Sequence, residues 1–249
     1  MKKILIYHSQ EEMIRSAAGH FISTGSAAID EQGQFNVALA GGSTPTPLYE
    51  YLADKKADDL NWSKVHFFWG DERSVPPDHP ESNFNQANLS LLIPRTIQKE
   101  NIHRIKAELP PADAARHYQE EIQASFQQKL PSFDLILLGM GNDGHTASLF
   151  PETELVNGDV SNQNRLVAPN WVPKLESWRI SFTPRLINAA QNIYFLVSGQ
   201  SKANTLKLVL EGPALPHRYP SQLISPDQGN LFWYLDEEAA AELSDVNRS

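Results

Sequence analysis

The chain of 249 residues contains no cysteine. A disulfide framework, a zinc–thiolate centre and a thiol nucleophile are therefore excluded. Long hydrophobic runs are also missing, and none approaches the ~18 apolar residues of a membrane-spanning helix. The N-terminal apolar run, Ile4 to Tyr7, is shorter than the ~7–15 residues of a signal-peptide core, so we interpret it as a first strand. We therefore expect a cytoplasmic protein with no membrane partner.

Positive charge is in deficit, because 21 lysine and arginine residues stand against 30 acidic residues and the formal net charge is −9. This balance argues against a broad nucleic-acid-binding surface, although it leaves room for a small local anion site. Hydrophobic content of 41% is ordinary for a globular protein with a sizeable core. No shift in composition marks a second domain, so we expect residues 1–249 to form a single domain. The sequence does not determine the oligomeric state, and we favour a monomer.

Short apolar runs alternate with segments of helical periodicity along the whole chain. The runs predict strands over residues 3–7, 34–40, 65–69, 102–105, 135–138, 165–168, 179–182, 192–197 and 231–235. Helices are predicted between them, notably over residues 11–29, 82–92, 111–128 and 202–210, with a loop after Pro151 and a short C-terminal helix. This alternation predicts an α/β fold in which helices cover both faces of a mainly parallel central sheet.

The stretch from Phe133 to Pro151 joins a buried strand to chemically useful side chains. Its apolar run ends in two close glycines, which lead into Asn142-Asp143-Gly144-His145. Histidine suits proton transfer near neutral pH, and a carboxylate two residues away can orient it. Because α/β enzymes place such groups at the carboxyl edge of the sheet, we favour a catalytic His145 over a structural histidine. Capping of a helix start by Asp143 stays open and is compatible with that role.

A second strand runs directly into Gly41-Gly42-Ser43-Thr44. Free amides and hydroxyls at a helix start are typical of an anion or phosphate site. A plain strand-to-helix turn capped by Thr44 explains this motif alone equally well. The motif is neither a P-loop nor a dinucleotide fingerprint, because the required lysine and the third glycine are missing.

The strand over residues 65–69 delivers Asp71, Glu72 and Arg73 to the same predicted edge. These groups can serve acid–base chemistry, anion binding or both, whereas a surface ion pair is the commoner use of such a run. Arg179 and Lys202 can each add positive charge near a phosphate. For either residue considered alone, a solvated position on the surface is the commoner explanation. The remaining histidines have no metal-ligand spacing, so we predict no metal site.

Taken together, the motifs resemble the 6-phosphogluconolactonase family, which is related to glucosamine-6-phosphate isomerase/deaminase. The resemblance covers nearly the whole chain and rests on LAGGSTP (39–45), WGDERSVPPDHPESN (69–83), DLILLGMGNDGHTASLFP (134–151), RISFTP (179–184) and SGQSKA (198–203). The closing LFWYLDEEAA (231–240) is similar as well. The resemblance implies a three-layer α/β/α sandwich that hydrolyses 6-phospho-D-glucono-1,5-lactone in the oxidative pentose phosphate pathway. It implies no cofactor and only a small-molecule partner.

The resemblance also implies roles for individual residues. His145 would transfer the proton, with Asp143 and Arg73 beside it in the catalytic set. The residues predicted to contact the sugar phosphate are Gly41, Gly42, Ser43, Thr44, Asp71, Arg179 and Lys202.

Two other functions remain open at this point. The related deaminases usually continue after the histidine with Asn-Glu-Pro, whereas this chain has Leu149-Phe150-Pro151. The missing glutamate, together with the arginine at position 73, favours the lactonase. The third possibility is a non-catalytic sugar-phosphate sensor, such as the effector domain of a regulator. A regulator of this kind needs a DNA-binding region, and the sequence shows none.

Overall fold

The computed structural model describes residues 1–54, 59–128, 130–158, 164–226 and 228–244. Its strands are β1 (Lys2–Tyr7), β2 (Phe35–Leu39), β3 (Val65–Trp69), β4 (Asp71–Arg73), β5 (Leu135–Gly139), β6 (Val167–Val172), β7 (Ser177–Phe182), β8 (Asn192–Val197) and β9 (Asn230–Asp236). Six of them form one sheet in the order β1-β9-β8-β5-β2-β3, and every neighbouring pair in it is parallel. The other three form an antiparallel sheet in the order β4-β7-β6.

Helices connect the strands and flank the central sheet. They are α1 (Gln10–Gln32), α2 (Thr46–Ala53), α3 (Asn83–Ala87), α4 (Pro111–Phe126), α5 (Glu154–Asn157), α6 (Pro184–Asn188) and α7 (Ala203–Leu210). The predicted α/β fold with a mainly parallel central sheet is confirmed. Among the helices of the described ranges, none is long and apolar enough to cross a membrane.

Burial explains why the central strands read as unbroken apolar runs. Strand β5 has a parallel neighbour on each side, and its residues from Leu135 to Leu138 are at most 1% exposed. A parallel strand that is covered on both faces needs apolar side chains at every position, so it shows no alternation with polar residues. Helix α1 instead shows helical periodicity, and it buries Met13, Ala17 and Phe21 against the sheet.

The common direction of the strands determines where the polar loops lie. Because parallel strands point the same way, the segments that follow β2, β3, β5 and β8 all leave the sheet at its carboxyl edge. These segments contain the motifs with polar side chains, namely residues 41–44, 71–73, 141–145 and 198–202. The fold therefore brings together residues from four distant parts of the chain.

Several predicted elements are wrong. Residues 102–105 form no strand, because only Ile102 pairs with Phe67 and the Tyr118 hydroxyl occupies the next carbonyl, that of His103. The predicted C-terminal helix is a series of turns over residues 237–243. The predicted loop after Pro151 contains the one-turn helix α5. The runs near 165–168 and 179–182 belong to the separate antiparallel sheet, which periodicity did not distinguish from the central one.

Glu72 ties β4 to the start of α3. It is 2% exposed, and its carboxylate accepts hydrogen bonds from the backbone amides of Arg73, Asn83 and Phe84 and from the Ser82 hydroxyl, at 2.8–2.9 Å. Burial raises the pKa of Glu72 and outweighs the opposing effect of these donors. The acid–base function considered for Glu72 therefore has no support here, because its carboxylate caps a helix.

We expect Glu72→Ala to destabilise the protein by about 2–4 kcal/mol, because several donors at the helix start would lose their acceptor. The free energy of unfolding, measured by denaturant titration, tests this. Glu81→Ala is the control, since Glu81 is exposed in the same segment and should change stability by no more than about 0.5 kcal/mol. Equal effects of the two substitutions would contradict the capping role.

Candidate active site

Two adjoining cavities lie at the carboxyl edge of the sheet. The first, of about 210 Å³, is bounded by the turn that follows β2, and the second, of about 390 Å³, reaches toward the antiparallel sheet. His145 stands between them and lines both, as do Asp71, Arg73 and Lys202. Glu72 lines neither cavity, whereas the other site residues predicted from the sequence each line at least one: Gly41, Gly42, Ser43, Thr44, Asp71, Arg73, Asp143, His145, Arg179 and Lys202.

Asp143 and His145 are joined by a short hydrogen bond. Nδ1 of His145 donates to Oδ1 of Asp143 at 2.5 Å, and the backbone amide of His145 lies 3.3 Å from the same oxygen. Partial burial favours a higher pKa for Asp143, but the His145 bond and charge outweigh it and hold the pKa well below its usual range. Asp143 is therefore a carboxylate, and the ring nitrogen left for other chemistry is Nε2.

The tight turn after β5 brings these side chains together. A Cβ atom at Gly141 would lie 2.1 Å from Nδ1 of His145 and 2.8 Å from Oδ1 of Asp143. Gly144 has a φ of +77°, and its carbonyl accepts hydrogen bonds from the amide and hydroxyl of Ser221. The two glycines thus allow an approach and a backbone conformation that larger residues disfavour.

Phe150 covers one face of the His145 ring. Its ring stacks on the His145 imidazole with the centroids 4.1 Å apart and the planes at 23°. Phe150 is 8% exposed, so it offers His145 an apolar surface where an acid would offer a charge. Sequence reasoning used Phe150 to separate two related families, but it did not predict this contact.

Asp71 sits in the cavity wall with both carboxylate oxygens bound by neighbours. Ser148 Oγ donates to Oδ2 at 2.6 Å, and Asn83 Nδ2 lies 3.2 Å from Oδ1. Both partners are 1% exposed, and sequence reasoning missed them as parts of the site. Each belongs to a motif block, but only the fold shows that they meet across the edge of the sheet.

Cations dominate the outer part of the site. Arg73 and Arg179 are directly paired in the β4–β7 register, and burial together with the Arg73 charge lowers the pKa of Arg179. Burial also lowers the pKa of Lys202. Lys174, which sequence reasoning missed, places Nζ 3.5 Å from Oδ2 of Asp143. An anionic ligand would therefore meet several positive charges here, although the whole chain carries a net charge of −9.

The described part of the chain holds no cluster of three or more histidine and acidic side chains that could bind a metal ion. The arrangement offers a hydrogen-bonded imidazole, an arginine pair and a glycine turn that lines the first cavity. Its chemical capacity is therefore proton transfer next to a bound anion.

These features define an α/β protein with an aspartate–histidine pair in a cation-lined cavity. A family model described as glucosamine-6-phosphate isomerases/6-phosphogluconolactonase matches residues 8–233. A 6-phosphogluconolactonase from a Nostoc species is 41% identical over 247 residues, 98% of this chain and 99% of the relative. One from a Synechocystis species is 45% identical over 221 residues, 87% of this chain and 88% of the relative.

Solved structures agree with the sequence relatives. The crystal structure of 6-phosphogluconolactonase from Thermotoga maritima is 30% identical and superposes with a TM-score of 0.80, over 95% of this chain and 100% of that one. The chain belongs to the glucosamine-6-phosphate isomerase/6-phosphogluconolactonase family. The family predicted from the motifs is confirmed.

We expect Gly141→Ala to lower turnover by about 10²-fold, because the added methyl group would displace the His145 ring from Asp143. The catalytic rate of the purified variant measures the effect, and its melting temperature shows whether the fold is kept. Gly19→Ala is the matched control, since its methyl group would meet no atom within 4 Å on the exposed side of α1. Full activity of Gly141→Ala would show that this close approach is dispensable.

Proposed function

We propose that the protein hydrolyses 6-phospho-D-glucono-1,5-lactone to 6-phosphogluconate, with His145 as the general base. The observation that carries this proposal is the 2.5 Å hydrogen bond from His145 Nδ1 to Asp143, at the junction of two cation-lined cavities. It holds the tautomer in which Nε2 carries the lone pair. Membership of the family and the names of its relatives support the choice of substrate.

The first step needs a nucleophile and a place for negative charge. Nε2 of His145 removes a proton from a water molecule as the water oxygen attacks C1 of the lactone. The carbonyl oxygen gains a negative charge. We assign the stabilisation of this oxyanion to Arg73 or to nearby backbone amides. The Asp143 carboxylate stabilises the imidazolium that forms, in the way that a buried carboxylate supports other catalytic histidines.

The second step breaks the bond between C1 and the ring oxygen. The imidazolium of His145 returns its proton to the departing ring oxygen, which becomes a hydroxyl group, and His145 is again a neutral base. The new carboxyl group then ionises to give the product. One proton of the water molecule thus passes through His145 to the ring oxygen, the carboxyl proton is released to solvent, and a covalent enzyme intermediate is unnecessary.

The phosphate group fixes the lactone against the histidine. We assign it to the cations Arg179 and Lys202 and to the turn of Gly42, Ser43 and Thr44, all of which line the two cavities. Binding energy that arises far from C1 holds the carbonyl in reach of the base, so it contributes to catalysis as well as to affinity. Asp71 is a hydrogen-bond acceptor and would suit a sugar hydroxyl better than a phosphate oxygen.

Deamination of an amino sugar phosphate is the second candidate, and Phe150 argues against it. The family resemblance puts a glutamate of the acid–base set at this position in deaminases, whereas here an apolar ring stacks on His145. A stacked phenylalanine cannot supply or accept a proton. We therefore assign lactone hydrolysis and not isomerisation with loss of ammonia.

We expect His145→Ala to lower kcat by about 10²–10⁴-fold, the usual value of a general base. Asp143→Asn should lower kcat by a comparable factor, because the imidazole would lose the carboxylate that holds its tautomer. Initial rates on freshly generated lactone, corrected for spontaneous hydrolysis, measure both effects. Wild-type kcat in His145→Ala would refute the mechanism and leave the substrate assignment to be judged from the wild-type rate.

We expect no ammonia from glucosamine 6-phosphate when enzyme and substrate are incubated at concentrations that hydrolyse the lactone rapidly. A coupled ammonia assay measures this, with a known deaminase as the positive control. Ammonia released at a catalytic rate would favour the deaminase, whereas binding of 6-phosphogluconate with neither reaction would favour a sensor.

Other sequence-based expectations remain predictions. They are the single-domain organisation, the cytoplasmic location, the monomeric state, and small-molecule partners without nucleic acid or membrane.

A further inference from the structure

We propose that Asp236 is a positioning residue that holds Lys202 at the substrate cavity. This inference rests on the proposed function, in which Lys202 contacts the anionic substrate. Asp236 lines neither cavity and would not touch the substrate. It belongs to the closing motif of the chain, to which the proposed mechanism assigns no role.

The location of Asp236 follows from the sheet. Strand β9 ends at Asp236 and lies beside β8, with Leu235 paired to Val197 in parallel register. The residues that follow this pair, Asp236 and Ser198, therefore lie next to each other at the carboxyl edge. From there β8 continues into the turn that carries Lys202.

The Asp236 carboxylate is buried and accepts hydrogen bonds mainly from this turn. It is 5% exposed, and the Ser198 hydroxyl donates to Oδ2. The backbone amide of Gly199 lies 3.0 Å from Oδ1 and 3.1 Å from Oδ2, and that of Ala239 lies 2.8 Å from Oδ1. Removing such an acceptor leaves several donors without a partner, so the turn would lose its anchor.

The anchored turn has a conformation that local sequence alone does not stabilise. Gly199 has φ +93° and ψ 147°, a region that only glycine visits readily. The Gly199 carbonyl then accepts a hydrogen bond from the amide of Lys202 at 3.0 Å. Asp236 thus fixes Gly199, and Gly199 fixes the backbone from which the Lys202 side chain reaches both cavities.

Asp134 provides a matched comparison within the same sheet. It is 2% exposed and accepts hydrogen bonds from the Asn36 amide at 2.8 Å and from the side chains of Gln32 and Gln191. It precedes β5 and therefore lies at the amino edge, away from the site. A substitution at Asp134 reports the general cost of removing a buried carboxylate, without a path to Lys202.

The experiment is a double-mutant cycle on the lactonase reaction, with Asp236→Ala, Lys202→Ala and the double variant. We expect Lys202→Ala to raise KM by roughly 10-fold or more, since it removes a charged hydrogen bond to the substrate. Asp236→Ala should raise KM by roughly 5-fold or more and leave kcat within about 2-fold, because His145 is untouched. In the Lys202→Ala background, Asp236→Ala should add less than about 2-fold.

Two milder variants keep the test decisive if Asp236→Ala does not fold. Asp236→Asn retains one acceptor oxygen, and Ser198→Ala removes one donor, so each should raise KM by less than Asp236→Ala and in the same direction. Asp134→Asn should lower the melting temperature and leave KM unchanged. Three results would overturn the proposal. KM could be unchanged in both Asp236→Asn and Ser198→Ala, or the KM increases of Asp236→Ala and Lys202→Ala could multiply in the double variant. The third is an increase of KM in Asp134→Asn as large as that in Asp236→Asn.

Calorimetric binding of 6-phosphogluconate separates this inference from the proposed function. If wild-type protein binds 6-phosphogluconate but does not hydrolyse the lactone, the proposed function fails, and weaker binding by Asp236→Asn still supports the positioning role. If wild-type protein hydrolyses the lactone and Asp236→Asn binds 6-phosphogluconate as tightly as wild type, the positioning role fails alone. If wild-type protein does neither, both proposals are wrong.

Discussion

The shared direction of the six central strands is the constraint on which the site depends. Each strand delivers its following loop to the same edge, so Gly41, Arg73, His145 and Lys202 meet although they are far apart in the chain. A strand of opposite direction would carry its loop to the other edge and leave a gap in the cavity wall. The parallel register is in turn stabilised by burial of apolar side chains on both faces, as in β5.

Four acidic side chains at this edge have different roles, because the surroundings of each carboxylate differ. Asp143 faces an imidazole, which favours its charged form and suits it to support proton transfer. Asp71 lies in the cavity wall with a serine and an asparagine donor. Glu72 and Asp236 face away from the cavity toward backbone amides, where they hold a helix start and a turn. Only the first two line the proposed binding site.

Sequence patterns were sufficient where one local feature determines the outcome. Apolar runs located the central strands to within a residue or two, and the helical periodicity of α1 and α4 was equally clear. The patterns failed where a distant partner decides: the Tyr118 hydroxyl interrupts the expected strand after Ile102, and the antiparallel sheet exists only through pairing between β4, β6 and β7. For Glu72 the sequence left acid–base chemistry and a surface ion pair open, and neither describes a carboxylate that is buried against the amides of Asn83 and Phe84.

The sequence by itself determined the fold class, through its alternation of strand and helix patterns, and the family, through the resemblance of its motifs. Glycine turns after apolar strands also predicted that the polar motifs lie at one sheet edge. Only the tertiary structure decided how those residues act on one another. The contact of Lys174 with Asp143, the hydrogen bond from Ser148 to Asp71 and the hydrogen bond from the Gly199 amide to Asp236 all join separate chain segments. Such contacts depend on distances set by strand order and packing, and no spacing along the chain encodes them.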